Sequence, residues 1–464
     1  MNKTCAVILA AGDGKRMNSN KPKAVCEVLF KPMISYVIDV CHDCEIDDIC
    51  VVVGDNSEYI KEVLPKNAQT VLQSERKGTG HALMMAKEYI KNSQADDVIV
   101  LYADAPFMTK EVMENAFERH HQTDGDMTII TANLNNPFGY GRIIRDHGIF
   151  RGIVEEKDTT ETQKQITEIN SGTYIFKSKF VLQYLDKIKS NNAQGEYYLT
   201  DLASIGLLEG KLVVPFKAKN NDIVLGANTR KDLYSLNEIA RKRVIEKHME
   251  QGVNFASTDG VIIGNDVVIG RDTVIYPNVV IKGDCQIGEN CTITTGSIIE
   301  NSKIGDNTLV NSSQVFDSIV GSGVKIGPYS HLRPNSSLSD NVKVGNFVEI
   351  KNSNVGEKTS VAHLTYIGDT DMGSHVNVGC GCVMVNYDGF RKHRTTVEDD
   401  CFIGCNSNLV APVTIKKGSY TAAGSTITKD VPENSLGVAR AKQRNIEQWA
   451  TSYNEKNAQY KKKK

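Results

Sequence analysis

The sequence predicts two folds in series: a three-layer α/β domain with a mostly parallel sheet, then a parallel β-helix. Two observations predict this. Up to about residue 228, apolar runs of strand length alternate with stretches of helical spacing. Beyond about residue 250, aliphatic residues recur at every sixth position through most of the remaining chain. At 464 residues the chain also exceeds what one hydrophobic core usually supports, so two domains are expected.

In the first half, strands are expected at 5–9, 49–53, 98–102 and 127–131. Between them, 77–91 places Ala82, Met85, Ala86 and Tyr89 on one helical face. Ligands of such folds gather beyond the carboxyl ends of the strands, where the loop Gly12-Asp13-Gly14-Lys15-Arg16 follows the first strand. Residues 229–250 read as one long helix linking the domains, with Leu233, Leu236, Ala240, Val244 and Lys247 or His248 on one face. The expected boundaries are therefore 1–228, 229–250 and 251–464.

The six-residue period starts with Ile263, Ile269, Ile275, Ile281, Ile287 and Ile293. Small or β-branched residues (Val267, Thr273, Val279, Cys285, Cys291) stand four places after an isoleucine. With some five-residue steps the pattern runs on through Ile304, Val310, Val315, Val320, Ile326, Leu332, Leu338, Val344 and Ile350. Val355, Val361, Ile367, Met372 and Val378 extend it, and it resumes from Ile403 to Leu409, Ile415 and Ile427. One hexad cannot bury its aliphatic residue; stacked coils of three hexads make a continuous interior column. The spacing fails between Met384 and Val397, where the insert VNYDGFRKHR (385–394) contributes nothing to that column. Loops thrown out of a regular core usually carry function.

Composition narrows the function classes. A formal net charge of −2 argues against broad nucleic-acid binding, which needs a basic excess. No apolar run is long enough to span a bilayer, and the first residues lack a signal-peptide pattern, so no membrane insertion and a cytoplasmic setting are expected. Eleven cysteines without a regular framework fit free thiols in a reducing compartment. Cys41 and Cys44 form one C-x-x-C without a second pair at zinc-site spacing, and buried small hydrophobes are the simpler reading. The closing Lys461–464 run reads as a solvated tail.

The residues themselves nominate two sites. The opening glycine loop is no NTPase phosphate loop, because no Gly-Lys-Ser/Thr follows; Met17 replaces the third glycine of a dinucleotide turn. Backbone N–H groups of a glycine loop can close on phosphates, and Arg16 with Lys23 would add positive charge; the alternative is a strand turn with surface cations. In the second half, Arg333 and Lys351 are 18 residues apart within an in-register stretch. They stack on one wall about 4.8 Å apart, so they either clamp an anion or splay into solvent. On the coil after Glu349, His363 stands beside Tyr366; either it is an ordinary surface or core histidine, or Glu349 reaches it from the preceding coil and sets its tautomer, making it a general base.

Several stretches resemble one family across essentially the whole chain. LAAGDGKRM (9–17) is similar to the sugar-nucleotidyltransferase signature, with Lys15 for the usual threonine. GNFVEIKNS, HLTYIGD and VNYDG resemble the acetyltransferase half of the bifunctional bacterial enzymes that make UDP-N-acetylglucosamine. The resemblance implies a Rossmann-like α/β nucleotidyltransferase domain followed by a left-handed β-helix, assembled as a homotrimer with acetyl-CoA between neighbouring helices. It implies acetyl transfer from acetyl-CoA to glucosamine-1-phosphate, then uridylyl transfer from UTP to N-acetylglucosamine-1-phosphate.

For the first half it implies that Leu9, Ala10, Ala11 and Gly12 form the nucleotide cradle, with Arg16 and Lys23 catalytic. Gln73, Gly78 and Thr79, in a stretch continuing Gly80-His81, would read the uracil, and Tyr102 and Ala103 would lead to Asp104. Asp104 and Asn228 would hold Mg²⁺, while Gly141, Glu155 and Asn170 would contact the sugar. GEYYLTD (195–201) is a further match. For the second half it implies His363 as base and Arg333, Lys351 and Lys392 on the sugar phosphate. Tyr366, Asn377, Asn386 and Tyr387 would surround the sugar and acetyl group, with Cys380, Cys405, Ala423 and Arg440 at the coenzyme. Cys380 and Cys405 depart from the family's usual alanine and serine, which points to sensitivity to thiol reagents. The rival reading is a hexose-1-phosphate nucleotidyltransferase whose β-helix only trimerises or regulates.

Overall fold

A computed structural model describes residues 3–12, 14–55 and 57–461. Asp13, the side chain of Lys15, and residues 462–464 of the lysine run lie outside the described residues. The chain divides into two compact units, with the division between Val244 and Ile245, inside the helix Arg230–Glu250.

The first unit is built on a nine-stranded sheet. Its main order is Val213–Lys217, Met127–Asn133, Glu168–Lys177, Asp97–Tyr102, Thr4–Leu9, Ile49–Val53, Gln69–Leu72, and the hairpin of Arg142–Asp146 and Ile149–Val154 joins Glu168–Lys177. Glu168–Lys177 runs antiparallel to both main neighbours; the other main pairings are parallel. Strands such as Thr4–Leu9 and Ile49–Val53 are near-continuous apolar runs because helices cover both faces of the sheet. The chain leaves Thr4–Leu9 toward one side of the sheet and later returns to its other side at Asp97–Tyr102. That switch point opens a crevice at the end of the first strand.

All four expected strands are present, extended by at most two residues at an end. The expected helix at 77–91 is two helices, Thr79–Met85 and Lys87–Ser93, broken at Ala86 (φ −87°, ψ 3°). On Arg230–Glu250 the buried face is Leu236, Ala240, Val244 and His248, and Lys247 is exposed. Burial of an imidazole with few polar demands is cheaper than burial of an ammonium, and it pushes His248 down to about 4.

The second unit is a left-handed parallel β-helix with three walls of eleven, ten and nine short strands. The hexad aliphatics form three interior columns. Ile263 pairs with Ile281 and then Ile299, Ile269 with Ile287 and then Ile304, and Ile275 with Ile293 and then Val310. Every one of these side chains is buried. The small residues fill the corners: Thr273 Oγ1 donates to Gly288 O at 2.8 Å and accepts from Cys291 N at 3.0 Å. Five-residue steps shorten a coil without breaking the columns, since Ile299 still faces Val315 and Ile304 faces Val320. The period resumes at Val397 as expected, with Thr395–Val397 paired to Thr370–Met372. The insert folds back on itself through an antiparallel bridge between Tyr387 and Lys392.

Candidate functional sites

In the first unit, loops at the strand ends border an open cavity of about 420 Å³. Leu9, Ala11, Gly12, Lys23, Gln73, Gly78, Thr79, Tyr102, Asp104, Gly141, Glu155, Asn170 and Asn228 all line it. Ala10 and Ala103 are buried behind this lining, and Arg16 is exposed on the short helix Lys15–Met17 outside it.

Long-range contacts bring these residues together. The Gly78 amide region packs on the GEYYLTD stretch: Gly80 N donates to Tyr197 O at 2.7 Å, Tyr197 N to Lys77 O at 2.7 Å, and Leu199 N to Thr79 Oγ1 at 3.2 Å. Gly78 has φ +100°, and a Cβ there would sit 2.6 Å from Tyr197 O, so only glycine fits. The buried Gln73 amide donates to Gly78 O at 3.1 Å and meets His81 Nδ1 at 3.0 Å, which fixes its orientation. Glu168–Lys177 bulges between Asn170 and Tyr174 and passes over Tyr102; at Gly172 (φ +80°) a Cβ would lie 2.0 Å from that ring. Burial pushes the Tyr102 phenol above its ordinary range. Asn170 donates to Tyr174 Oη at 2.6 Å and accepts from Gly172 N at 3.1 Å. Glu155 accepts from Thr200 Oγ1 at 2.9 Å, and burial raises its carboxyl above the usual carboxylate range.

Lys23 Nζ donates to Asp104 Oδ2 and, at 3.4 Å, to Asn228 Oδ1. The loop carrying Asn228 is pressed onto Asp104, with Ala227 N donating to Asp104 O at 3.3 Å. A carboxylate and a carboxamide oxygen converging on a cationic ammonium form a hard, all-oxygen donor pair. Magnesium takes one or two such protein oxygens plus substrate phosphates, so these residues fit it.

Sequence reasoning missed Arg76, Thr200 and Gly172. Arg76 lines the cavity and, with Gly12, a smaller adjoining recess, and its Nη2 lies 3.5 Å from Asp55 Oδ2. Its position three places after Gln73 was the available signal. Thr200 lay inside the GEYYLTD stretch without a role.

In the β-helix, Arg333 and Lys351 occupy the same place on successive coils, since Leu332 pairs with Ile350 and Arg333 N donates to Ile350 O at 2.8 Å. Lys392, carried on the insert, comes beside them. Its amine first, then lost solvation and Arg333, push Lys351 below the ordinary lysine range. Three cations therefore share one patch.

Glu349 does not reach His363 as expected. Its register partners are His331 and Tyr366, and its Oε1 accepts from Arg333 Nη1 at 2.7 Å. His363 belongs to a different wall, opposite Asn346. The error is geometric: fourteen residues separate the two, too few for one coil, so they cannot stack. Asp369, unassigned from sequence, holds the insert instead. It is buried and accepts from Asn352 Nδ2 and Asn386 Nδ2, and Asn386 Nδ2 also lies 3.4 Å from Tyr366 Oη. Tyr387 Oη turns within the insert to Gly389 O at 2.6 Å. Asn377 is exposed on the wall between Ser360 and Phe402, and Arg440 is exposed beyond the last full coil. Cys380, Cys405 and Ala423 open the corner turns of three successive coils.

The fold and sites define a nucleotidyltransferase domain joined to a hexapeptide-repeat transferase domain. Residues 5–235 match the nucleotidyl transferase family model, 257–328 match the GMPPB C-terminal domain, and 317–352 match the bacterial transferase hexapeptide model of six repeats. The chain is 48% identical over 445 residues to the bifunctional protein GlmU of Alkaliphilus oremlandii, covering 96% of this chain and 97% of the relative. It is 45% identical over 445 residues to that of Alkaliphilus metalliredigens, covering 96% and 97%, and 44% identical over 457 residues to that of Clostridioides difficile, covering 98% and 99%. The chain belongs to the family of bifunctional GlmU proteins.

Proposed function

We infer that the chain is a bifunctional transferase making UDP-N-acetylglucosamine, a precursor for cell-wall synthesis. The β-helix N-acetylates glucosamine-1-phosphate with acetyl-CoA, and the α/β unit transfers uridylyl from UTP to the product. The observation that carries the reading is the pairing in one chain of an anion patch, Arg333–Lys351–Lys392, with a cleft that holds Lys23 against Asp104 and Asn228. A β-helix that only trimerises has no use for three converging cations.

In acetyl transfer, Arg333, Lys351 and Lys392 hold the sugar phosphate. His363 accepts a proton from the substrate ammonium, and the freed amine attacks the thioester carbonyl. The C–S bond breaks, the amide nitrogen gives up its second proton to the leaving CoA sulfur, and His363 passes the first proton to solvent. Asn386, fixed by Asp369, and Tyr366 border the sugar. Glu349 acts here through Arg333, holding its guanidinium in place.

In uridylyl transfer, Gln73 with the Gly78–Thr79 backbone orients the uracil, and Glu155, Asn170 and Gly141 orient the sugar. The sugar phosphate oxygen attacks the α-phosphorus in line, and pyrophosphate leaves. Gly12 and its neighbours supply N–H donors, while Lys23 and Arg16 neutralise the charge that develops. Mg²⁺ held by Asp104 and Asn228 would supply further neutralisation of phosphate charge.

The domain assignment follows as 1–228 for uridylyl transfer, 229–250 as the connecting helix and 251–464 for acetyl transfer. A homotrimer suits the β-helix because Tyr329, Phe347 and Leu364 make an exposed apolar ladder at one corner, the two rings stacked at 5.6 Å. No helix among the described residues is long and apolar enough to cross a membrane, and the substrates are those of the cytoplasm. The test supplies glucosamine-1-phosphate with acetyl-CoA in one assay, and N-acetylglucosamine-1-phosphate with UTP in another. CoA release and pyrophosphate release are both expected; pyrophosphate alone would return the β-helix to a scaffold.

A further inference from the structure

His363, Cys380, Cys405 and Ala423 form one column along a corner of the β-helix. Gly381 N donates to His363 O at 3.3 Å, Asn406 N to Cys380 O at 2.7 Å, and Gly424 N to Cys405 O at 2.8 Å. Each of Cys380, Cys405 and Ala423 is the first residue of its coil's two-residue turn, so equivalent side chains project from successive rungs. Cys380 is half-buried and Cys405 exposed, and neither forms a disulfide as described. Rungs of a parallel ladder lie about 4.8 Å apart, inside the Cα separation of about 4.4–6.8 Å that a disulfide spans.

The remaining thiols are poorer candidates. Cys382 is also close, but it is fully buried with its Sγ donating to Gly404 O at 3.1 Å, and burial pushes its thiol up to about 11. Cys41 and Cys44 are pushed by burial to about 12 and about 11, which starves them of thiolate.

We propose that Cys380 and Cys405 are a reversible thiol–disulfide site that closes in the presence of a low-molecular-weight disulfide. The Cys405 thiolate attacks one sulfur of the small disulfide, forming a mixed disulfide and releasing one small thiol. The Cys380 thiolate then attacks the Cys405 sulfur, and the second small thiol leaves. Two protein thiols lose two electrons and two protons, and the small disulfide becomes two thiols. An exposed bond of this kind is readily reduced again. The link would draw the two rungs' side chains together on the column that carries His363, across the place assigned to acetyl-CoA. This consequence for acetyl transfer rests on the function proposed above; the disulfide itself does not.

The experiment treats the full-length protein with glutathione disulfide, removes the excess, and maps peptides by mass spectrometry before and after dithiothreitol. A Cys380–Cys405 cross-linked pair, two hydrogens lighter than the sum of its peptides, is expected. CoA release should fall at least tenfold and return on reduction, with pyrophosphate release unchanged as an internal measure of folding. Each compared with its own reduced state, Cys405→Ser should lose both the cross-link and the sensitivity, whereas Cys380→Ala should lose the cross-link and instead trap one glutathione on Cys405, released by dithiothreitol. Saturating acetyl-CoA should slow the cross-link. Free thiols after oxidation, a stable glutathione adduct, or a link to Cys382 would overturn the disulfide. A cross-link that leaves CoA release unchanged would overturn the gating. If the reduced protein releases no CoA, the acetyltransferase reading fails while the peptide map still decides the disulfide.

Discussion

The two candidate sites are built in opposite ways. The uridylyl-transfer site is a cleft bordered by loops from the ends of several strands, and its decisive contacts join distant residues: Lys23 to Asp104, Gly78 to Tyr197, Glu155 to Thr200. The acetyl-transfer site is an open ledge in which one wall's residues repeat at a near-constant interval, with a single insert supplying Lys392 and Asn386. The cleft depends on tight positioning by packed backbone, so steric change should damage it most. The ledge works by concentrating positive charge, so loss of protons should damage it most.

The largest effect separates the halves outright. His363→Ala should lower CoA release by about 10²–10⁴-fold, the usual contribution of a general base, while pyrophosphate release holds. Equal loss of both activities would mean that the column is structural. Next, Gly172→Ala forces a methyl into the Tyr102 ring at a positive φ, and strain of this type costs about 1–3 kcal/mol before any clash is added. Uridylyl transfer and the α/β unit's thermal transition should both drop, with CoA release retained.

A pH titration sharpens the contrast from the other side. Lys351 is held below its ordinary value by neighbouring cations, so it sheds its proton earlier than a free lysine as pH rises. A bound phosphate favours the protonated form, so binding takes up a proton between the lowered and restored values, and affinity falls as pH climbs through that window. The KM for glucosamine-1-phosphate should climb there, and Lys392→Met should weaken binding while moving the break to higher pH. A break that stays in place would show that the three cations are not coupled. The smallest effect is at Arg76, on the rim of the cavity. Arg76→Ala should raise the KM for UTP about tenfold, the loss of roughly 1.4 kcal/mol expected of one charge-assisted phosphate contact; an unchanged KM would restrict Arg76 to its pairing with Asp55.

Legibility from sequence follows the same divide. In a β-helix, arithmetic is geometry, so the interior columns and the Arg333–Lys351 stack could be read from intervals alone. The same arithmetic, applied loosely, misdirected Glu349 toward His363, because fourteen residues do not complete a coil. In the α/β unit, alternation revealed the strands and the end of the first strand where ligands gather. It could not reveal that 77–80 dock on Tyr197, or that Ala86 breaks the expected helix.

What the sequence determined by itself was the succession of two folds, the inward face of every hexad and the residue types gathered at each site. Periodicity and resemblance are local properties, readable along the chain. The tertiary structure alone decided that Lys23 meets Asp104 and Asn228, that Glu349 serves Arg333, and that Cys380 stands over Cys405. Those pairings depend on register and on which loops share one end of a sheet. They are set by the burial of the whole core rather than by any neighbouring residue.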